Sequence, residues 1–157
     1  MPSQPCPCGS RKPYERCCGR FFTEPSAPTA EALMRSRYVA FYRGDIDYLI
    51  ETHHPSTRPP NLRFSLGQSI RSTQWQALTI LSTRQGKAGD RQGYVEFMAV
   101  YCQPQWGQLH ERSRFLKEQG RWFYVDGESL PPIVPKRGQP CWCGSLKKYK
   151  HCHGANA

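Results

Sequence analysis

Four residues near the start of the chain, Cys6, Cys8, Cys17 and Cys18, and four near its end, Cys141, Cys143, Cys152 and His153, carry one spacing. It is C-x-C, eight intervening residues, then a Cys-Cys or Cys-His pair. Thiolate sulfur and imidazole nitrogen are the ligands from which zinc builds closed tetrahedral structural sites, with four cysteines or three cysteines and one histidine among the usual sets. The position at which the two groups differ, Cys18 against His153, exchanges one zinc ligand type for the other. A disulfide framework could not tolerate that exchange. A redox pair more usually shows C-x-x-C beside a βαβ pattern, and an iron–sulfur cluster fits poorly where histidine replaces one of four thiolates. Zinc at two sites is the expected chemistry. His151 is a competing nitrogen donor, but it aligns with Arg16 in the other copy.

Both groups belong to longer copies of one segment. Residues 4–19 and 139–154 align without a gap at a constant offset of 135, with ten of 16 positions identical. Gly9 and Gly144 follow the first ligand pair, where a turn around the metal needs positive φ and close backbone approach. Ser10 and Ser145 are expected as N-caps opening about two turns of helix that deliver the second pair. Pro13 would fall in the first turn, and Gly19 and Gly154 just past the end. Tyr14 and Tyr149 share a repeat position and are expected to pack over the metal. So small a unit buries too little apolar surface to fold alone, so folding should require the metal. Loss of one ligand, as in Cys8→Ser, is expected to unfold its own module and leave the rest intact.

The elements between these ends must hold them. The chain has 157 residues, 38% hydrophobic and 12% aromatic, which suits one ordinary domain with small appendages. A mean hydropathy of −0.71 and apolar runs far below the ~20 residues needed to cross a bilayer argue against membrane insertion. The N-terminus lacks the pattern of a secretion signal, and a cytoplasmic location is expected. The formal net charge of +10 points first to nucleic acid or another polyanion. Its distribution narrows that. Arg11, Lys12, Arg16 and Arg20 outweigh Glu15 in residues 1–20, and Lys136, Arg137, Lys147, Lys148 and Lys150 meet no acid in residues 136–157. Thiolates on zinc would offset part of this charge, most of it at the N-terminal copy. The expected partner-binding residues are therefore Lys147, Lys148 and Lys150, with Lys12 in the N-terminal copy.

In the middle of the chain the hydrophobic period is that of helices, then of strands. Thr29 can cap a helix over 30–43 with Met34, Tyr38, Phe41 and Tyr42 on one stripe, stopped by Gly44. Asp45 can cap a shorter helix carrying Ile46, Leu49, Ile50 and His53. After Pro55, Pro59 and Pro60, a third helix is expected within 61–74, holding Leu62, Leu66 and Ile70. Alternation then predicts strands over 75–83, 93–103, 108–118 and 122–127, the last two joined around Gln119-Gly120. Helices first and consecutive antiparallel strands after them make an α+β domain.

On the third strand Leu109, Glu111, Ser113 and Phe115 share the more apolar face. Glu111, buried there near Tyr101 and Trp75, is a candidate pocket group able to act as acid or base if its pKa is raised. The alternative is that it pairs with Arg35 or Arg37 and braces the fold. His53 and His54, at a predicted helix end, read as carbonyl caps or solvent-facing imidazoles. No phosphate loop, His-Glu-x-x-His or serine-hydrolase elbow is present, and no residue is assigned a catalytic role.

The repeated spacing, with Gly-Ser after the first pair and Lys-x-Tyr before the second, resembles the SEC-C motif, the zinc-binding C-terminal tail of the translocation ATPase SecA. That resemblance implies a docking module for an acidic protein such as the export chaperone SecB, with ribosome or RNA contact also implied. Through residues 32–38, 109–115 and 120–127 the chain as a whole resembles the bacterial YchJ family. The implied organisation is a SEC-C module over 1–20, a nuclear-transport-factor-two-like domain over 28–130 and a second SEC-C module over 136–157. The middle fold so implied is a cone of about three helices packed in a curved antiparallel sheet, a shape that often encloses a pocket. Two functions are therefore expected: docking through basic zinc modules, or small-molecule binding or catalysis in the central cone.

Overall fold

The computed structural model describes residues 3–24 and 26–156. A short helix α1 (Gly19–Thr23) leads into α2 (Ala30–Arg43), α3 (Ile46–Glu51) and α4 (Leu62–Ser72). Strands β1 (Gln74–Gln85), β2 (Gln92–Cys102), β3 (Trp106–Glu118) and β4 (Arg121–Ser129) follow, forming one antiparallel sheet in the order β1-β2-β3-β4. The architecture is α+β, as the change of hydrophobic period predicts.

Local chemistry sets the boundaries. Thr29 Oγ1 accepts the Ala32 amide at 3.0 Å to start α2, and Asp45 Oδ1 accepts the Tyr48 amide at 3.1 Å to start α3. Between them Gly44 takes a φ of 79° and ends α2, a conformation that glycine adopts without a Cβ penalty. Gln119 and Gly120, both at positive φ, make the tight β3–β4 turn. Irregularities in the pairing at Trp75/Ala77, Ile80/Ser82 and Arg114/Phe115 are sites where a strand bends and its twist increases.

The inner sheet face carries Val95, Phe97, Ala99, Ser113 and Phe115, all buried, against Leu33, Met34, Tyr38 and Val39 of α2. The alternation read from β3 holds: His110, Arg112 and Arg114 lie on the outer face and pair there with Glu96, Glu128 and Asp126. The α2 stripe is corrected at two positions. Tyr42 is 53% exposed, whereas Arg37 is buried to 6% exposure. Arg37 Nη1 donates to the Leu49 carbonyl at 2.8 Å and to Thr52 Oγ1 at 2.6 Å, and its guanidinium lies 4.6 Å over the Tyr124 ring. These partners make its burial tolerable, although burial still pushes its pKa down to about 10.

Helix α3 stops at Glu51, so His53 lies beyond it. The chain there pins itself to the free edge of β4: Tyr124 N donates to Thr52 O at 2.9 Å and His54 N to Tyr124 O at 2.7 Å. Thr57 Oγ1 donates to Val125 O at 2.7 Å. That segment covers an edge which would otherwise expose unpaired amides, and it buries both His53 and His54 rather than leaving them in solvent. After β4, Leu130 N donates to His110 O, and the Gln108 side chain bonds both the amide and the carbonyl of Ile133. Among the described residues no helix is long and apolar enough to cross a membrane.

Candidate metal centres

Cys6, Cys8, Cys17 and Cys18 converge until their sulfurs all lie within 4.8 Å of one another. Cys8 Sγ stands 3.6 Å from Cys17 Sγ, and Cys17 Sγ 3.9 Å from Cys18 Sγ. Zinc–sulfur bonds of about 2.3 Å in a tetrahedron place ligands about 3.8 Å apart, whereas a disulfide needs about 2.05 Å. The separations suit a shared cation and not a bond; all eight cysteines are free. Hydrogen bonds with Cys6 and Cys8, reinforced by burial, hold the Cys18 thiol far above its ordinary range. Thiols crowded in this way cannot all ionise unless a cation offsets their charge.

The second cluster repeats the first. Cys143 Sγ and Cys152 Sγ are 3.7 Å apart, and His153 Nδ1 lies 3.3 Å from Cys141 Sγ and 3.4 Å from Cys152 Sγ. His153, not His151, joins this cluster. The Ser145 hydroxyl, ahead of the neighbouring thiols, pulls Cys152 down to about 6. Cys102, at the end of β2, belongs to neither group.

The backbone that gathers these ligands is a looped knuckle rather than the expected helix of about two turns. Arg11 and Leu146 take φ of 64° and 66°, a left-handed conformation that a helix cannot pass through. Ser10 Oγ and Ser145 Oγ accept the Lys12 and Lys147 amides at 3.2 and 3.3 Å, and stand 3.2 Å from Cys17 Sγ and 3.4 Å from Cys152 Sγ. The serines therefore support a sulfur instead of opening a helix. Bonds from Cys6 N to Lys12 O and from Cys141 N to Lys147 O close the loop. Only a single 3-10 turn follows, Tyr14–Arg16 in one copy and Tyr149–His151 in the other.

Gly9 and Gly144 do take positive φ, 80° and 83°. Gly19 and Gly154 have another use: a Cβ on either would fall 2.8 or 2.5 Å from the ring of Tyr14 or Tyr149. Each tyrosine thus packs on the glycine beside its ligand pair. Gly19 is also the first residue of α1 and not a helix stop.

The modules differ in their surroundings. Cys6, Cys8 and Cys18 are buried within the main core, and Arg35 Nη1 donates to the Cys8 carbonyl at 2.8 Å. Phe22 packs on Tyr48 with ring centroids 4.6 Å apart, and the Arg43 guanidinium lies over the Tyr14 ring. By contrast, every hydrogen bond of residues 136–156 among the described residues stays within that segment. In this module Cys143 and Cys152 are half-buried and His153 is exposed.

Residues 29–127 match the family described as YchJ, middle NTF2-like domain, and residues 3–20 and 137–155 match the SEC-C motif. A UPF0225 protein of Pectobacterium carotovorum is 45% identical over 97% of this chain and 99% of its own length. The chain belongs to the YchJ (UPF0225) family. Another UPF0225 protein, from Streptomyces coelicolor, is 51% identical over 83% of this chain and 99% of its own. Two solved structures share the fold. A SEC-C motif containing protein from Rhodopseudomonas palustris is 32% identical with a TM-score of 0.71, covering 82% of this chain and 100% of that one. One from Psychrobacter arcticus is 25% identical with a TM-score of 0.63, covering 100% of this chain and 98% of that one.

In this YchJ-family chain the remaining predicted residues fall in two places. Lys12, Lys147 and Lys148 are exposed and Lys150 is half-buried; none is in an ion pair among the described residues. Glu111 and Trp75 line a cavity inside the cone. Tyr101 does not: it packs edge-on against Trp75 at 5.6 Å and against Gly107, where it leaves no room for a Cβ. Neither arginine expected to pair with Glu111 does so. Arg35 pairs with Glu31, Arg37 serves Leu49 and Thr52, and Glu111 accepts from Ser113 Oγ at 2.9 Å. The cavity residues missed in the sequence are Arg37, Tyr38 and His53. Their only signal was polar chemistry on or beside an apolar helix face, which does not tell burial from exposure.

Proposed function

We propose that this chain is a two-zinc docking protein. In this reading zinc occupies Cys6, Cys8, Cys17 and Cys18 at one end and Cys141, Cys143, Cys152 and His153 at the other. The N-terminal site staples the start of the chain to the central domain. The C-terminal knuckle offers Lys147, Lys148 and Lys150 to an acidic protein surface, and Lys12 stands ready in the other copy. One observation carries the reading: the two clusters share ligand spacing, but only the C-terminal one has no hydrogen bond to the body of the protein among the described residues. Leu146, 90% exposed beside Lys147 and Lys148, adds an apolar contact to that face. An acidic export chaperone is the favoured partner class; a ribosomal or RNA surface offers similar charge but no use for Leu146.

Titration of the zinc-loaded chain into the purified export chaperone SecB tests this reading. Saturable binding that weakens between about 50 and about 200 mM salt and disappears when residues 136–157 are removed is the expected result. Equal binding by the truncated chain would place the contact elsewhere. Preference for RNA over the chaperone would change the partner class.

A further inference from the structure

Beyond β4 the chain runs Leu130-Pro-Pro-Ile-Val-Pro135 before the C-terminal module. Three prolines leave this strap few amides, so it cannot pair with the sheet as a further strand. Among the described residues, its hydrogen bonds to the body of the protein all go to Gln108 and His110 of β3. Leu130 N donates to the His110 carbonyl at 2.8 Å. The Gln108 side chain accepts from Ile133 N at 2.8 Å and donates to Ile133 O at 3.0 Å. The remaining bond joins His110 Nδ1 to the Pro131 carbonyl oxygen at 2.7 Å.

The His110 ring has a second partner. Its Nε2 stands 2.7 Å from Glu96 Oε1 on β2, and the other oxygen of that carboxylate accepts from Ser82 Oγ of β1 at 3.2 Å. A peptide carbonyl and a carboxylate can only accept. Either neutral tautomer of His110 would therefore turn a lone pair on one of them. Only the imidazolium, a donor at both nitrogens, satisfies both partners. His54 shows the contrast: its Nδ1 accepts the Ser56 amide at 3.1 Å, a bond that an imidazolium cannot make.

The charges around His110 agree. Glu96 faces it from β2, and the strap brings no ionisable side chain. On its own strand Arg112 is occupied by Glu128 of β4 at 2.7 Å. Arg84 of β1 and Tyr94 of β2 line the same outer-face hollow as Glu96 and Arg112. The Pro131 carbonyl first, and then the Glu96 carboxylate, hold the His110 pKa above its ordinary value against the opposing effect of burial. The bond from His110 in turn holds Glu96 below the usual carboxylate range.

We propose that His110 is a pH-sensitive clasp for the strap that carries the C-terminal module. As the imidazolium it ties Glu96 to the Pro131 carbonyl and pins residues 130–133 on the sheet; as the neutral ring it lets them go. Release adds up to four residues, roughly 13 Å at full extension, to the tether of that module. The proton is held more tightly with the clasp closed. Closure is therefore strongest below the unperturbed histidine pKa of about 6.5 and weakens as pH rises through the higher value of the closed form. The clasp acts on residues 130–133 whatever the knuckle binds.

Nuclear magnetic resonance of the full zinc-loaded chain between about pH 5.5 and about pH 9 tests the proposal. At neutral pH both ring nitrogens of His110 should be protonated, with a titration midpoint above 6.5. Hydrogen exchange of the Leu130 and Ile133 amides, corrected for its intrinsic rate, should quicken through the same midpoint. The gain should be about tenfold for each unit by which that midpoint exceeds about 6.5, with no change in the amides between β2 and β3. His110→Gln should identify the ring signals and abolish this pH dependence. Glu96→Gln keeps an acceptor oxygen but loses the charge, and should lower the midpoint by about half a unit, with the exchange following it. A ring that is neutral at pH 7, or exchange that ignores the His110 midpoint in the parent or in Glu96→Gln, would overturn the clasp. So would a pH dependence that survives in His110→Gln.

Discussion

At the scale of single residues, the two ligand sets are near-copies with different consequences. Cys8 is fully buried, its carbonyl holds Arg35, and it belongs to the main core. Cys143 is half-buried in a knuckle bonded only to itself among the described residues. On the two-zinc reading, Cys8→Ser should therefore remove one zinc and destabilise the whole domain by several kcal/mol, on the order of 3. The sequence alone confines that loss to its module; the place of Cys8 in the main core predicts a wider one. Cys143→Ser should also remove one zinc, yet leave the unfolding of the central domain within about 0.5 kcal/mol of the parent. Metal content and chemical denaturation of the two variants check both halves; matching losses of stability would remove the distinction.

At the scale of elements, the segment from Thr52 to Thr57 links the helical layer to the edge of β4. His53 sits within it, against the Tyr124 ring at 5.2 Å, beneath the buried Arg37. In the unfolded chain His53 takes up a proton near 6.5, but in the fold only near about 4. The unfolded state therefore binds more protons between these values. The contribution of His53 is complete above about 6.5 and is lost as pH falls towards about 4. In urea unfolding, His53→Gln should flatten this slope, and the gap between parent and variant should shrink by on the order of 2 kcal/mol across the window. A constant gap would show that His53 does not couple the segment to pH. This element was poorly legible in the sequence. Two histidines before Pro55 look like a solvated helix end, and only pairing with β4, some seventy residues later, buries them.

At the scale of the whole molecule, the modules should release metal in order. If both sites hold zinc as proposed, a chelator must open the core to take the N-terminal ion but only the partly exposed C-terminal knuckle to take the other. Titration with a chelator should remove one equivalent of zinc with little change in the near-ultraviolet signal of the buried aromatics. The second equivalent should leave together with that signal. Simultaneous release would mean that the modules share one stability. The same arrangement recasts the net charge of +10. With zinc at both sites, as proposed, four thiolates would offset more of the basic charge of the N-terminal module than three thiolates and an imidazole would at the other, where Lys147 and Lys148 are exposed. The C-terminal segment then carries the largest share of the excess charge, from Lys136, Arg137, Lys147, Lys148 and Lys150 with no acidic residue beside them.

Membership of the two Cys/His clusters, the α+β class and the strand alternation were all readable from the chain, because each depends on residue type and short-range period. Cys18 against His153 is such a signal, and so is the two-residue rhythm that puts Ser113 and Phe115 inward and Arg112 and Arg114 outward. The knuckle conformation was not readable in the same way: Arg11 and Leu146 adopt left-handed φ that neither residue type favours, held there by closure of the ligand loop. Nor could two segments alike at ten of 16 positions reveal that one is stitched into the core and the other makes no hydrogen bond to it among the described residues. That difference arises from Leu78, Arg35 and Tyr48, which approach the N-terminal copy from distant parts of the chain. The cavity was decided in the same way, since Tyr38, His53 and Trp75 meet only when α2, the turn after α3 and β1 come together. Residue type and spacing specify which side chains can cluster; long-range contacts decide that one cluster joins the core, that the other is hydrogen-bonded only to its own segment among the described residues, and that a cavity lies between helices and sheet.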